Sequence, residues 1–213
     1  MNIRFESVVP HPLKEVSFQD NSIWNNNFSL NKEERVVLNA TSGKGKTTFT
    51  HLLAGIRNDY DGNIILDNEN TRSYSLEKWT LLRKSVLSFV FQDLQLFQDL
   101  TVNENLTLKN KLTQHKSETM LREELAFLGL ENKWNEKVAH LSMGQQQRVA
   151  IIRSLAQPFQ WIILDEPFSH LDNHNAKLAL DLIEKNCTAN QGGYIITTLD
   201  HDSALHPSKE LFL

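Results

Sequence analysis

Residues 40–47 read A-T-S-G-K-G-K-T, and a second threonine, Thr48, follows. This is the spacing of a phosphate loop, with Ala40 at a first position where glycine is usual. Gly43 and Gly45 let backbone N–H groups turn inward around phosphate oxygens, and a helix starting there adds its positive end. The Lys46 ammonium is placed to reach β- and γ-phosphates, and the Thr47 hydroxyl to ligate Mg²⁺. Ala40, Thr41, Ser42, Gly43, Lys44, Gly45, Lys46, Thr47 and Thr48 are therefore the candidate nucleotide-binding residues. Further along, residues 161–167 read W-I-I-L-D-E-P, four apolar residues ending in two acids. Asp165 suits a Mg²⁺-holding role, through water, and Glu166 beside it suits a general base acting on an attacking water. The chemistry written in these residues is cleavage of a nucleoside triphosphate.

Those groups need a frame that brings them together. Short apolar runs with β-branched residues, at 36–39, 63–67, 86–91, 161–165 and 194–198, read as strands. Between them lie helical patterns, one of them at 47–56 directly after the glycine loop. Strands interleaved with helices argue for an α/β fold with a parallel, helix-covered sheet. A carboxylate at the C-terminal end of such a strand stands at the edge where ligands bind in open α/β sheets. Residues 101–140 are helical in pattern and free of strands. Leu121, Leu125 and Leu128 share one helix face there. This stretch reads as a helical subdomain of approximately residues 101–145, inserted within one domain that spans 1–213.

Residues 141–151 read L-S-M-G-Q-Q-Q-R-V-A-I, and residues 161–172 read W-I-I-L-D-E-P-F-S-H-L-D. With the phosphate loop, in this order, the set resembles the ABC ATPases, and the resemblance covers nearly the whole chain. It implies a P-loop NTPase core with a mostly parallel sheet, a small N-terminal β part and the inserted helical subdomain. It implies ATP and Mg²⁺ as ligands. It also implies a signature of Ser142, Met143, Gly144 and Gln145 that completes the ATP site of a second subunit, head to tail, with Asp172 in the loop beside that interface. Ser142 and the Gly144 backbone would touch the γ-phosphate in trans, and the helix from about Gln145 would aim its N-terminus at that charge. Met143 departs from the family, which has glycine there.

Residues 89–106 include F-V-F-Q-D-L-Q-L-F-Q-D-L-T-V-N-E-N-L. This stretch most resembles the subgroup that powers lipoprotein release, macrolide-type efflux and cell-division exporter-like complexes. The resemblance makes Gln92 the glutamine that contacts Mg²⁺ and the attacking water. The loop and helices after it then form the groove for a membrane subunit's coupling helix. The exposed Leu and Phe of this stretch suit that contact or belong to the core. The family's switch histidine falls, without gaps, on Leu199; two residues on lies His201. Either His201 acts from a shifted backbone, or Leu199 replaces the histidine and hydrolysis is slow. The adenine-stacking aromatic falls near His11 or Pro12, with Phe18 and Trp24 as further candidates. The family's turn glycine before the phosphate-loop strand is Glu33 or Glu34 here.

Composition bounds the partners. The 213 residues carry a net charge of −4, without the basic excess of a nucleic-acid binder, and none is expected. No apolar run approaches the ~20 residues of a bilayer span, and the N-terminus is not a signal peptide. Work at a membrane therefore requires a partner that holds the chain there; the resemblance implies transmembrane permease subunits and a place at the inner, cytoplasmic face. The single cysteine, Cys187, makes no intramolecular disulfide and reads as a small buried residue in a reducing compartment. A complete set of motifs in one chain fits a homodimer formed on ATP binding. The leading reading is a transport-coupled ATPase; the alternative is a weakly hydrolysing regulatory switch of the same fold. A soluble DNA-repair or translation ATPase is disfavoured, because no coiled-coil insertion or tandem repeat is visible.

Overall fold

Four short, largely apolar strands are too apolar on both faces to lie at a surface, and with a fifth, more polar edge strand they pair into one parallel sheet. The computed structural model describes residues 1–39, 43–199 and 207–213. In chain order the strands are β1 (Ile3–Pro10), β2 (Phe28–Leu30), β3 (Arg35–Asn39), β4 (Tyr60–Leu66), β5 (Glu69–Asn70), β6 (Leu87–Val90), β7 (Trp161–Asp165), β8 (Gly193–Thr198) and β9 (Lys209–Phe212). The parallel sheet has the order β6-β7-β8-β3-β9, and a four-stranded antiparallel sheet has the order β2-β1-β4-β5. The helices are α1 (Lys46–Leu53), α2 (Leu76–Ser85), α3 (Val102–Asn110), α4 (Glu118–Phe127), α5 (Met143–Leu155) and α6 (Asn173–Asn190).

Alternation along each parallel strand splits the core in two. Val37, Ile162, Leu164, Tyr194 and Ile196 face a cluster that includes buried residues of α3 to α6. Val36, Leu38, Trp161, Ile163 and Ile195 face α1 and the antiparallel sheet. Five of the strand runs read from sequence coincide with β3, β4, β6, β7 and β8 to within a few residues. One of them joins a different sheet. β4 pairs antiparallel with β1 and β5 rather than entering the parallel sheet. Only pairing distinguishes the two cases, since apolar alternation is the same in both. Between β6 and β7 the described chain is helical, and Leu121, Leu125 and Leu128 are all buried.

Helix starts divide into two kinds. Ser75, Thr101, Ser117, Ser142 and Asp172 each cap their helix with a side-chain oxygen that accepts a backbone N–H. α1 starts differently: its N-cap is Gly45, at φ +102°, and no side chain caps it.

Candidate functional site

The phosphate-loop helix and the acidic strand end converge. β3 delivers the loop and β7 delivers Asp165, with β8 hydrogen-bonded between them. The Lys46 ammonium lies 3.4 Å from the Glu166 carboxylate, and both side chains are nearly buried. Asp165 is buried, and its Oδ1 accepts a 2.6 Å hydrogen bond from the Thr197 hydroxyl of β8. Its Oδ2 is buried with no hydrogen-bond partner. A buried carboxylate oxygen left without a hydrogen-bond partner is the kind of hard oxygen donor that a divalent cation such as Mg²⁺ takes. Glu166 occupies a left-handed backbone conformation, φ +50°. Its N–H donates to the Thr197 carbonyl and to the Thr197 hydroxyl, both at 3.2 Å. Strain of this kind persists where the surroundings over-determine it.

The loop itself is braced from below. Gly43 (φ +80°) and Gly45 (φ +102°) both need left-handed freedom. A Cβ on Gly45 would also meet Leu13 at 2.7 Å and the Trp24 ring at 3.3 Å. The Trp24 indole N–H donates to the Lys44 carbonyl at 3.1 Å. Trp24 is buried against Phe49, so it supports the loop from the core side and cannot stack on a base. His11, another stacking candidate, is exposed and pairs with Asp61 at 3.2 Å. Ala40, Thr41, Ser42 and His201 lie outside the described residues. Leu199 follows β8 with half its surface exposed. Thr47 and Gln92 line one cleft of about 680 Å³, together with His51 and Phe91.

The signature helix α5 begins at Met143, two residues before the start expected near Gln145, because Ser142 and Gln145 form a capping box. Ser142 and Met143 are exposed. A Cβ on Gly144 would lie 2.7 Å from the His170 carbonyl, so glycine lets α5 approach the loop after β7. Gln147 was not singled out by the motif reading, yet it ties the two together. Its amide nitrogen donates to the Glu166 carbonyl at 3.0 Å, and its carbonyl oxygen accepts the His170 N–H at 3.0 Å. Its signal in the sequence is a polar residue five positions past the serine cap, on the helix face it shares with the buried Ala150 and Ile151. Arg148 extends the tie through Asn175 and the Leu128 carbonyl. Asp172 caps α6; the Asn175 backbone N–H, then the Asn175 side-chain amide, hold its carboxyl below the usual range.

An uncapped helix start behind a glycine loop, facing an acid pair at a parallel sheet edge, defines a P-loop nucleoside triphosphatase. Residues 23–169 match the ABC transporter family, and the chain belongs to it. It is an ATP-binding subunit with ATPase activity. It is 35% identical over 174 residues to the lipoprotein-releasing system ATP-binding protein LolD of Buchnera aphidicola subsp. Schizaphis graminum, covering 80% of this chain and 76% of that protein. It is 34% identical over 182 residues to the putative hemin import ATP-binding protein HrtA of Staphylococcus epidermidis, covering 84% and 81%. Among solved structures, the dimeric post-hydrolysis state of the ATP-binding cassette MJ0796 bound to ADP and Pi superposes with a TM-score of 0.77 at 27% identity, covering 94% of this chain and 88% of that one.

Proposed function

We propose that two copies of this chain close head to tail around ATP at the cytoplasmic face of a membrane and drive transmembrane permease subunits. The carrying observation is the contact of Lys46 with Glu166 at the end of β7. When ATP phosphates take the Lys46 ammonium, the Glu166 carboxylate is released to accept a proton from the attacking water. The loop residues 40–48 cradle the phosphates, with the positive end of α1 behind them. Thr47, Asp165 and Gln92 would hold Mg²⁺, which neutralises charge on the phosphates. Ser142 to Gln145, at the start of α5 with Ser142 and Met143 exposed, serve the partner copy's ATP, and Asp172 stands in the same interface. His201 is assigned to the γ-phosphate. Residues 101–145 act as the helical subdomain that carries the signature and the permease-facing groove. No helix among the described residues is long and apolar enough to cross a membrane, so attachment runs through the permease.

The test is static light scattering of wild type and Glu166→Gln with Mg²⁺-ATP, run beside phosphate release. A stable ATP-bound dimer of the mutant and turnover by wild type support the motor. Monomers and background phosphate release in both would favour the switch reading, to which Leu199 and Met143 point.

A further inference from the structure

Glu166 keeps a left-handed backbone, φ +50°, which an L-residue leaves unless its surroundings hold it there. It is held from two sides. Its N–H is taken by the carbonyl and hydroxyl of Thr197 on β8, both at 3.2 Å. Its carbonyl accepts the Ser169 N–H at 3.3 Å and, more closely, the Gln147 amide of α5 at 3.0 Å. Fixing both peptide groups fixes the Cα–Cβ direction, and that direction carries the carboxylate to within 3.4 Å of the Lys46 ammonium. Gln147 is only 2% exposed. Its Nε2 also donates to the Ser169 hydroxyl at 3.3 Å, and its Oε1 accepts the His170 N–H at 3.0 Å. A buried amide with bonds at both its nitrogen and its oxygen is locked in one rotamer, as a group that must place another one needs to be.

Resting on the reading of Glu166 as the base, we infer that Gln147 is a positioning residue for hydrolysis. Its amide nitrogen holds the Glu166 peptide so that the carboxylate, once freed from Lys46, points at the attacking water. Gln147 acts through the Glu166 backbone and not on the substrate. Without its donor the carbonyl keeps the Ser169 N–H, so the turn persists, but the peptide is free to rock and the carboxylate loses its aim. The loss falls on the rate of bond cleavage. ATP binding is spared, because the amide bonds of Gln147 run to residues 166, 169 and 170 and not to α1.

The experiment measures single-turnover hydrolysis and fluorescent-nucleotide affinity of the full chain carrying Gln147→Met, which fills the same space without a donor, and Gln147→Asn, which keeps the amide one methylene short. Expected is a fall in rate of about ten- to a hundredfold, the cost of a small misplacement of a reacting group, with ATP affinity unchanged. In a Glu166→Gln background the same substitutions should cost almost nothing more, because residues that act as a unit are not additive. A strut that served only the loop would slow both backgrounds alike. Unfolding midpoints of all variants are measured so that lost rate is not lost folding. An undiminished rate in a folded variant, an equal loss in the Glu166→Gln background, a loss of ATP affinity that matches the loss of rate, or failure of both variants to fold overturns the positioning role and leaves Glu166 as the base. If wild type turns over no ATP, or Glu166→Gln turns it over as fast as wild type, the reading of Glu166 falls and this role with it.

Discussion

The Lys46 ammonium and the Glu166 carboxylate meet at 3.4 Å, with side chains only 7% and 13% exposed. On the proposed reading, ATP phosphates that take the Lys46 ammonium release Glu166 to face water. If Glu166 is the base proposed above, Glu166→Gln removes it and weakens the competition for Lys46. Single-turnover hydrolysis should fall by about 10²- to 10⁴-fold, while ATP affinity, read by a fluorescent nucleotide, stays the same or rises. A large loss of affinity would mean that Glu166 serves the fold rather than the reaction.

Gly144 sits where a Cβ would lie 2.7 Å from the His170 carbonyl. Gly144→Ala should push α5 away from the loop that follows β7 and strain the Gln147 bridge. We expect a loss of about 1–3 kcal/mol in denaturant unfolding, and ATP-dependent dimerisation weakened beyond what that loss explains.

Trp24 holds the phosphate loop through one hydrogen bond to the Lys44 carbonyl. Trp24→Phe keeps most of the buried ring and removes the donor. The KM for ATP should rise about five-fold, in line with ~1 kcal/mol for a neutral hydrogen bond, with kcat little changed. Steady-state kinetics check this.

Glu33 occupies a left-handed backbone, φ +71°, at the exposed turn before β3. Glu33→Gly should stabilise the chain by about 0.5–1 kcal/mol, the relief of that conformation less the extra freedom of glycine in the unfolded state. Urea titration reads it as a higher midpoint with unchanged slope.

Cys187 is fully buried, and burial pushes its thiol up to about 12. It should resist a maleimide at neutral pH in the folded chain and react fully in denaturant. The folded thiol keeps its proton where the unfolded one has lost it. Stability therefore falls as pH rises through the unfolded thiol's ~8.5. A Cys187→Ser comparison isolates that share.

The strands that carry the site were legible because each is a short apolar run ending in a polar group: β3 before the loop, β7 at Asp165, β8 at Thr197 and Thr198. The start of α5 was displaced because Ser142 caps with Gln145, and the notion of a helix from Gln145 overlooked that box. Trp24 was weighed as a base-stacking ring, and the sequence holds nothing to say which side of the loop it occupies. Its burial follows from packing on Phe49, a residue of α1. Gln147 lay inside a familiar string, where its neighbours drew the attention. Its role depends on the approach of α5 to His170, a contact between distant segments that no local pattern encodes.

The order of the parallel sheet bears on how the chain comes into being. β3 is flanked by β8 and β9, both of which follow it by most of the sequence. A growing or truncated chain that stops short of β8 has the loop residues and β3, but neither parallel neighbour of β3. Pairings this distant are slow to form. Nucleotide recognition should thus come late in biogenesis, and a chain that stops short of β8 should bind ATP poorly.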